Sequence, residues 1–222
     1  MKKVTLVCLA NSIRESHRCV AGVDETGAWI RPVSPTNLGA LTTSQIKLDN
    51  GADPALLDRI TISVEAPQVL PYQPENWVIA AEPWKFAGHL GLTEAEEFLD
   101  KISYGGVGLF GDTQRYRTLT SLESSPLTHS LVLVEPSSLG FEYYYDGKWF
   151  YRATFVYDRS PYNLSVTDPV TRGVLRDLGQ GSYGPTLSDR VRAGRTFLCV
   201  SLSGPYPDGR CWKLVAGVVP LP

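Results

Sequence analysis

Arg18–Ser34, RCVAGVDETGAWIRPVS, reads as two strands joined by a tight turn. Glu25-Thr26-Gly27 is the connection, with Gly27 free to take a positive φ. Alternation along Ala28–Val33 places Trp29, Arg31 and Val33 on one face and Ala28 and Ile30 on the other. The stretch has an echo at the far end of the chain. LVCLANS followed by RCVAGV resembles FLCVSLSG followed by CWKLVAGVV. Cys8 and Cys19 are 11 apart; Cys199 and Cys211 are 12 apart. The repeat opens the first half and closes the second, so it is not a plain tandem duplication.

Working outward, Val4–Ala10 is an apolar run that reads as a strand, ended by the polar residues 11–17. Asp53-Pro54 has the form of a helix start, and Arg59–Glu65 alternates as a strand. Pro67–Trp77 is a loop rich in aromatics and proline. Residues 93–102 are the clearest helix, with Thr93 and Glu96 spaced as a capping box. The glycine-rich run Tyr104–Gly111 lacks the Gly-Lys-Ser/Thr ending of a Walker loop and reads as a flexible connection. In the second half, Asp146-Gly147 is the strongest hairpin signal. A further hairpin through Arg159-Ser160-Pro161, with Tyr157 facing Tyr162, pairs Arg152 with Thr167, Thr154 with Ser165 and Val156 with Asn163 on a polar face. Asp168-Pro169 opens a second helix; Thr196–Leu202 and Cys211–Val219 are the last strands. The pattern predicts a mainly β chain of two fused OB-like Greek-key barrels with one short helix each. The first is expected over 1–111, with its helix at 93–102, and the second over 112–222.

The 222 residues carry a formal net charge of −2, which argues against a sequence-blind duplex-DNA coat. Arginine nevertheless outnumbers lysine 14 to 7. Between Arg152 and Arg195 seven arginines face four aspartates, a local balance of +3. Arginine binds phosphate in a bidentate fashion and stacks on rings, so the bias suits a discrete anionic ligand, or simply a solubilised surface. The four cysteines form no C-x-x-C and sit in apolar runs, which points to buried, reduced thiols in a cytoplasmic protein. No apolar run is long enough to span a bilayer, and the N-terminus lacks a signal cleavage pattern.

The set KVTLVCLANS, RCVAG, WIRPVS, PYQPENW, YNLSVTDP and FLCVSLS…CWKLVAG resembles the dual OB-containing domain family of prokaryotes over nearly the whole chain. The resemblance implies two fused OB folds and a role in binding nucleic acid or nucleotides. It implies no catalytic residue. Ile13–His17 stands where a small glycine-containing loop is expected.

Four groups of residues are candidates for ligand contact. Trp29 and Arg31 could stack a base and hold a phosphate; the competing roles are packing between barrels and pairing with a carboxylate. Arg14 and Arg18, with Asn11, Ser12 and His17, form the connection after the first strand, where OB folds often clamp ligand. Tyr72, Asn76 and Trp77, with Gln73, offer rings and amides that could read a base edge or merely lid a barrel. Arg152, Thr154, Asn163, Ser165 and Thr167 share the polar hairpin face. Deaminase, zincin, hydrolase and Walker signatures are all lacking, and His17, His89 and His129 are far apart, so no metal, cofactor or catalytic set is expected. The function expected is a non-catalytic module for single-stranded nucleic acid or a nucleotide-like ligand. The alternative is a protein-interaction or sensor subunit beside a separate effector enzyme.

Overall fold

The computed structural model describes residues 1–14, 17–36, 39–187 and 194–222. Six strands build the first unit: β1 (Lys2–Arg14), β2 (His17–Asp24), β3 (Trp29–Val33), β4 (Asp58–Pro67), β5 (Asn76–Ile79) and β6 (Lys85–His89). Their order is β1-β2-β3-β5-β4, and β4 returns to β1, which closes a five-stranded barrel with β6 on its edge. β3 and β5 run parallel, with Arg31 opposite Asn76.

The chain continues through α1 (Leu92–Ile102), β7 (Tyr116–Thr118), α2 (Leu119–Ser124), β8 (Leu131–Val134), β9 (Ser138–Asp146) and β10 (Lys148–Tyr157). Then follow β11 (Ser160–Val166), α3 (Pro169–Leu178), β12 (Gly181–Tyr183), β13 (Arg195–Leu202) and β14 (Arg210–Leu221). The second sheet runs β12-β9-β10-β11-β14-β13-β8, again with one parallel pair, β11 on β14. β8 and β9 occupy the two ends of the path β9-β10-β11-β14-β13-β8 and are joined by Glu135–Ser137. Together they stand where one long first strand stands in the other barrel. The molecule is therefore mainly β and built of two OB-type units.

Three clusters of side chains explain why the decisive runs are apolar without a break. Along β1, Val4, Leu6 and Cys8 fill the first barrel, while Val7 and Leu9 point the other way into a seam between the units. In β8, Val132 and Val134 fill the second barrel and Leu131 and Leu133 face the seam. In β13, Leu198 and Val200 divide from Phe197 and Cys199 in the same manner. A strand buried on both faces has no polar side to alternate with. Ala95 and Leu99 of α1 close the seam.

The repeat noticed in the sequence is that seam. VCLA and RCVAGV form β1–β2; FLCVSL and CWKLVAGVV form β13–β14. Each hairpin carries one register shift next to a Cys–Gly pair, Cys8 opposite Gly22 and Cys199 opposite Gly217. The first hairpin is strands one and two of its barrel; the second is the closing pair of the other. A Cβ added at Gly217 would overlap the carbonyl oxygen of Leu9 across the seam. Glycine there lets the two backbones touch.

Several local expectations are corrected. β1 does not stop at Ala10: Asn11 to Arg14 continue the ladder against β2, with Ser12 opposite Cys19 and Arg14 opposite His17. The expected loop is a hairpin end, and Glu15 and Ser16 lie outside the described residues. Asp53 caps no helix; its carboxylate binds Arg18 and, at 2.8 Å, Lys47. α1 begins at Leu92, one residue before Thr93, and its N-cap Gly91 makes no side-chain cap. The β10–β11 turn is the two residues Asp158 and Arg159, both at positive φ, so Arg152 faces Ser165 and Thr154 faces Asn163. That register is two residues from the expected one, which leaves every side chain on its expected face. The glycine-rich run is not a free connection either. Leu109 and Phe110 are buried in the second core, and Tyr157 Oη donates to the carbonyl oxygens of Tyr104 (2.6 Å) and Gly106 (3.0 Å).

Asp168 caps α3 as the sequence suggests. Its carboxylate accepts from the backbone N–H of Val170 and Thr171 and from Thr171 Oγ1. Asp168→Ala should cost about 1–2 kcal/mol in urea unfolding, the upper range for a lost cap, because the carboxylate is buried. A loss too small to measure would show that α3 is held by packing alone.

Candidate functional site

A cleft of about 820 Å³ lies between the two units. The first barrel supplies Ser12 and Ile13 at the end of β1, His17, Arg18 and Cys19 on β2, and Arg31 on β3. The second supplies Ser165, Thr167, Arg172, Ser201 and Leu214, with Ser203–Tyr206 at one side. The proline-rich loop forms a wall through Tyr72, Gln73 and Asn76. It crosses to the second barrel and does not merely cover the end of its own: Gln73 Nε2 donates to the Leu202 carbonyl at 3.2 Å, and Tyr72 packs on the second core. The backbone N–H of Ile13 donates to Thr167 O at 3.0 Å and ties the cleft's far side.

Arg31 forms the floor. Its side chain is 3% exposed and Glu75 is 5% exposed. Nε donates to Glu75 Oε1 at 3.0 Å, and the terminal nitrogens reach Cys19 Sγ (3.3 Å), Ser130 Oγ (2.9 Å) and Ser201 Oγ (3.2 Å). Glu75 also accepts from the Ser130 N–H at 3.1 Å and from Ser130 Oγ. Burial pulls the Arg31 guanidinium down, while Cys19 and Glu75 together raise it above its ordinary value. The pair keeps the floor charged and internally compensated, and it clamps the barrels together.

The walls differ. Asn76 is 2% exposed; its Nδ2 lies 3.4 Å from Gln73 Oε1, and its Oδ1 is buried with no partner among the described residues. His17 Nδ1 and Arg18 NH1 are likewise buried and unpartnered, although the other terminal nitrogen of Arg18 holds Asp53. Arg172 is placed one turn into α3 by the Asp168 cap. Its Nε donates to the Val166 carbonyl at 2.7 Å, and its guanidinium lies 5.0 Å from the Tyr151 ring centroid. Burial is the largest influence on Arg172 and lowers its pKa. The cleft thus offers an orphaned acceptor and two unpartnered nitrogens, groups that nearly always find partners in a completed structure.

Nine of the candidate residues meet here: Ser12, His17, Arg18, Arg31, Tyr72, Gln73, Asn76, Ser165 and Thr167. Arg152 stands beside them, donating to Ser165 Oγ at 2.9 Å. Thr154 and Asn163 lie elsewhere, in an open depression of about 550 Å³ on the outside of the second barrel. Trp29 packs against the seam cluster, and Trp77 packs on the first core beneath Lys2. The side chain of Arg14 lies outside the described residues, as do Arg190 and Arg192 of the arginine-rich window. Reading the residues one group at a time missed Cys19, Arg172 and Ser203–Tyr206. Arg172 alone had a signal, since the Asp168 cap fixes where the next helical turn points.

Among the described residues no group of three or more His, Cys, Asp or Glu could hold a metal ion. No helix among them is long and apolar enough to cross a membrane. All four cysteines are free, with Cys8, Cys199 and Cys211 buried. A family model described as a dual OB-containing domain matches residues 4–218. No curated protein matches the chain.

Proposed function

The chain belongs to the dual OB-containing domain family, and we propose that it is a non-catalytic module whose inter-barrel cleft holds a nucleotide unit, free or as part of a single strand. OB folds generally bind oligonucleotides and other ligands on strand faces and adjoining loops. The observation that carries the reading is the buried, unpartnered Oδ1 of Asn76, in a cleft of about 820 Å³ that Arg18 and His17 also line. Small-ligand sites run to about 300–1,000 Å³. An amide with a free acceptor reads a base edge, and Arg172, which lines the same cleft and makes no ion pair among the described residues, takes phosphate. Tyr72 and Tyr206 line the same space and give the base an aromatic wall.

Titration of the protein against the four ribonucleoside monophosphates and short RNA and DNA oligomers should detect binding to at least one. Asn76→Ala should weaken that binding by at least about fivefold, the value of one hydrogen bond to a buried group. Absence of binding across the whole panel would sink the reading.

A further inference from the structure

We propose that the ligand is a single strand several nucleotides long, with one unit in the cleft and the rest running over the outer face of the second barrel. This rests on the cleft reading above and names which of its two ligand forms applies. The starting observation is a set of uncompensated cations. Arg18, Arg31, Arg59 and Arg195 all hold carboxylates. Among the described residues Arg115 and Arg152 make no ion pair, and the sheet brings them to one region: Arg152 is opposite Ser165, Ser165 is opposite Leu214, and Arg115 lies against Trp212, two residues from Leu214. Partial desolvation, then the charge of Arg152, lowers the Arg115 pKa. Two like charges kept close without a carboxylate are unfavourable unless an anion completes them.

Rings hold these cations in place. Arg152 lies 5.4 Å and Lys148 5.2 Å from the Phe150 centroid. Tyr144 stacks on the same ring at 5.2 Å and is 37% exposed. Arg115 lies 5.9 Å from the Trp212 ring, which packs against Tyr116 at 5.1 Å. The acidic groups of this face do not cancel the charge: Glu142 and Asp146 lie opposite Arg152 and Lys148 in the ladder without an ion pair among the described residues, and Asp208 is taken up by Arg210 at 3.7 Å.

The stripe joins the cleft at two points. Arg152 donates to Ser165, which lines it. The backbone N–H of Trp212 donates to Ser203 Oγ at 2.8 Å, and Ser203 lines the cleft as well. Alternating cations and rings on a surface continuous with a nucleotide-sized cleft is the layout that binds single strands by phosphate contact and base stacking. A free nucleotide would use none of it.

The test is a length series of fluorescently labelled oligothymidylate and oligouridylate, about two to twelve nucleotides to bracket the site size of one OB fold, beside the mononucleotides. Affinity should rise at least about tenfold from mononucleotide to the longest oligomer. Arg115→Glu places a carboxylate next to Arg152. It should remove most of that gain, flatten the salt dependence by about one phosphate contact, and leave mononucleotide binding intact. Arg115 is exposed, and Lys148→Glu at the hairpin tip offers a second variant should the first unfold. If mononucleotides bind as tightly as oligomers, the strand proposal fails and the cleft reading survives. A length gain that persists in both variants also overturns it. If nothing binds, both fall.

Discussion

Gly217→Ala should cost about 3 kcal/mol or more, at or beyond the upper end for overpacking a core position. The added Cβ would overlap Leu9 O, which belongs to the backbone of the opposite barrel and cannot rotate away. Relief requires β14 to withdraw from β1, which loosens Val7, Leu9, Ala216 and Val219 together. Gly91→Ala is the control. It also adds one methyl, but nothing lies within 4 Å and the φ of −68° is ordinary. Urea unfolding monitored by tryptophan fluorescence should show a large drop in midpoint for Gly217→Ala and only the small one of a weakened helix cap for Gly91→Ala. Equal midpoints would mean that the seam has slack that the backbone contacts do not reveal.

Arg31→Ala should destabilise by about 3–5 kcal/mol, because it leaves Glu75 charged, buried and short of its main partner. Glu75→Ala should do comparable damage by orphaning the guanidinium. The double variant should cost no more than either single, since it removes both charges at once. Strictly additive losses would show that the two side chains do not act as a pair. Asn76 lies beside Arg31 in the parallel β3–β5 ladder and is not part of the ion pair. Asn76→Ala should therefore lower affinity with little change in stability, while Arg31→Ala lowers both.

How far the sequence goes can be judged residue by residue. The two-barrel architecture was legible because turn residues punctuate short apolar runs, and strand faces follow from alternation alone. The β10–β11 hairpin makes this concrete: the expected turn is one residue off and the pairing two, yet Arg152 and Ser165 share one face, because a strand repeats every two residues. Helix starts were less legible. Thr93 has the right spacing to Glu96, but α1 begins one residue earlier with nothing capping it, since its hold comes from Ala95 and Leu99 in the seam. The partner of Arg31 was not legible at all. Glu75 sits 44 residues away in a loop whose only marks are proline and aromatics, and the contact arises from the β3–β5 crossover. Asn76 was singled out for its chemistry; its burial and its orphaned oxygen are properties of the assembled cleft.

The seam hairpins lie at opposite ends of the chain, β1–β2 first and β14 last. A ribosome therefore delivers the first barrel with Val7, Leu9, Ala10, Ala21 and Val23 bare; α1 and β8 follow, and the seam is complete only once β13 and β14 are added. The same last strand supplies Leu214 and Ala216 to the cleft. Nascent chains should thus need temporary shielding of one greasy face until the last strand is made, and a chain cut short before β14 carries an incomplete pocket along with an adhesive surface.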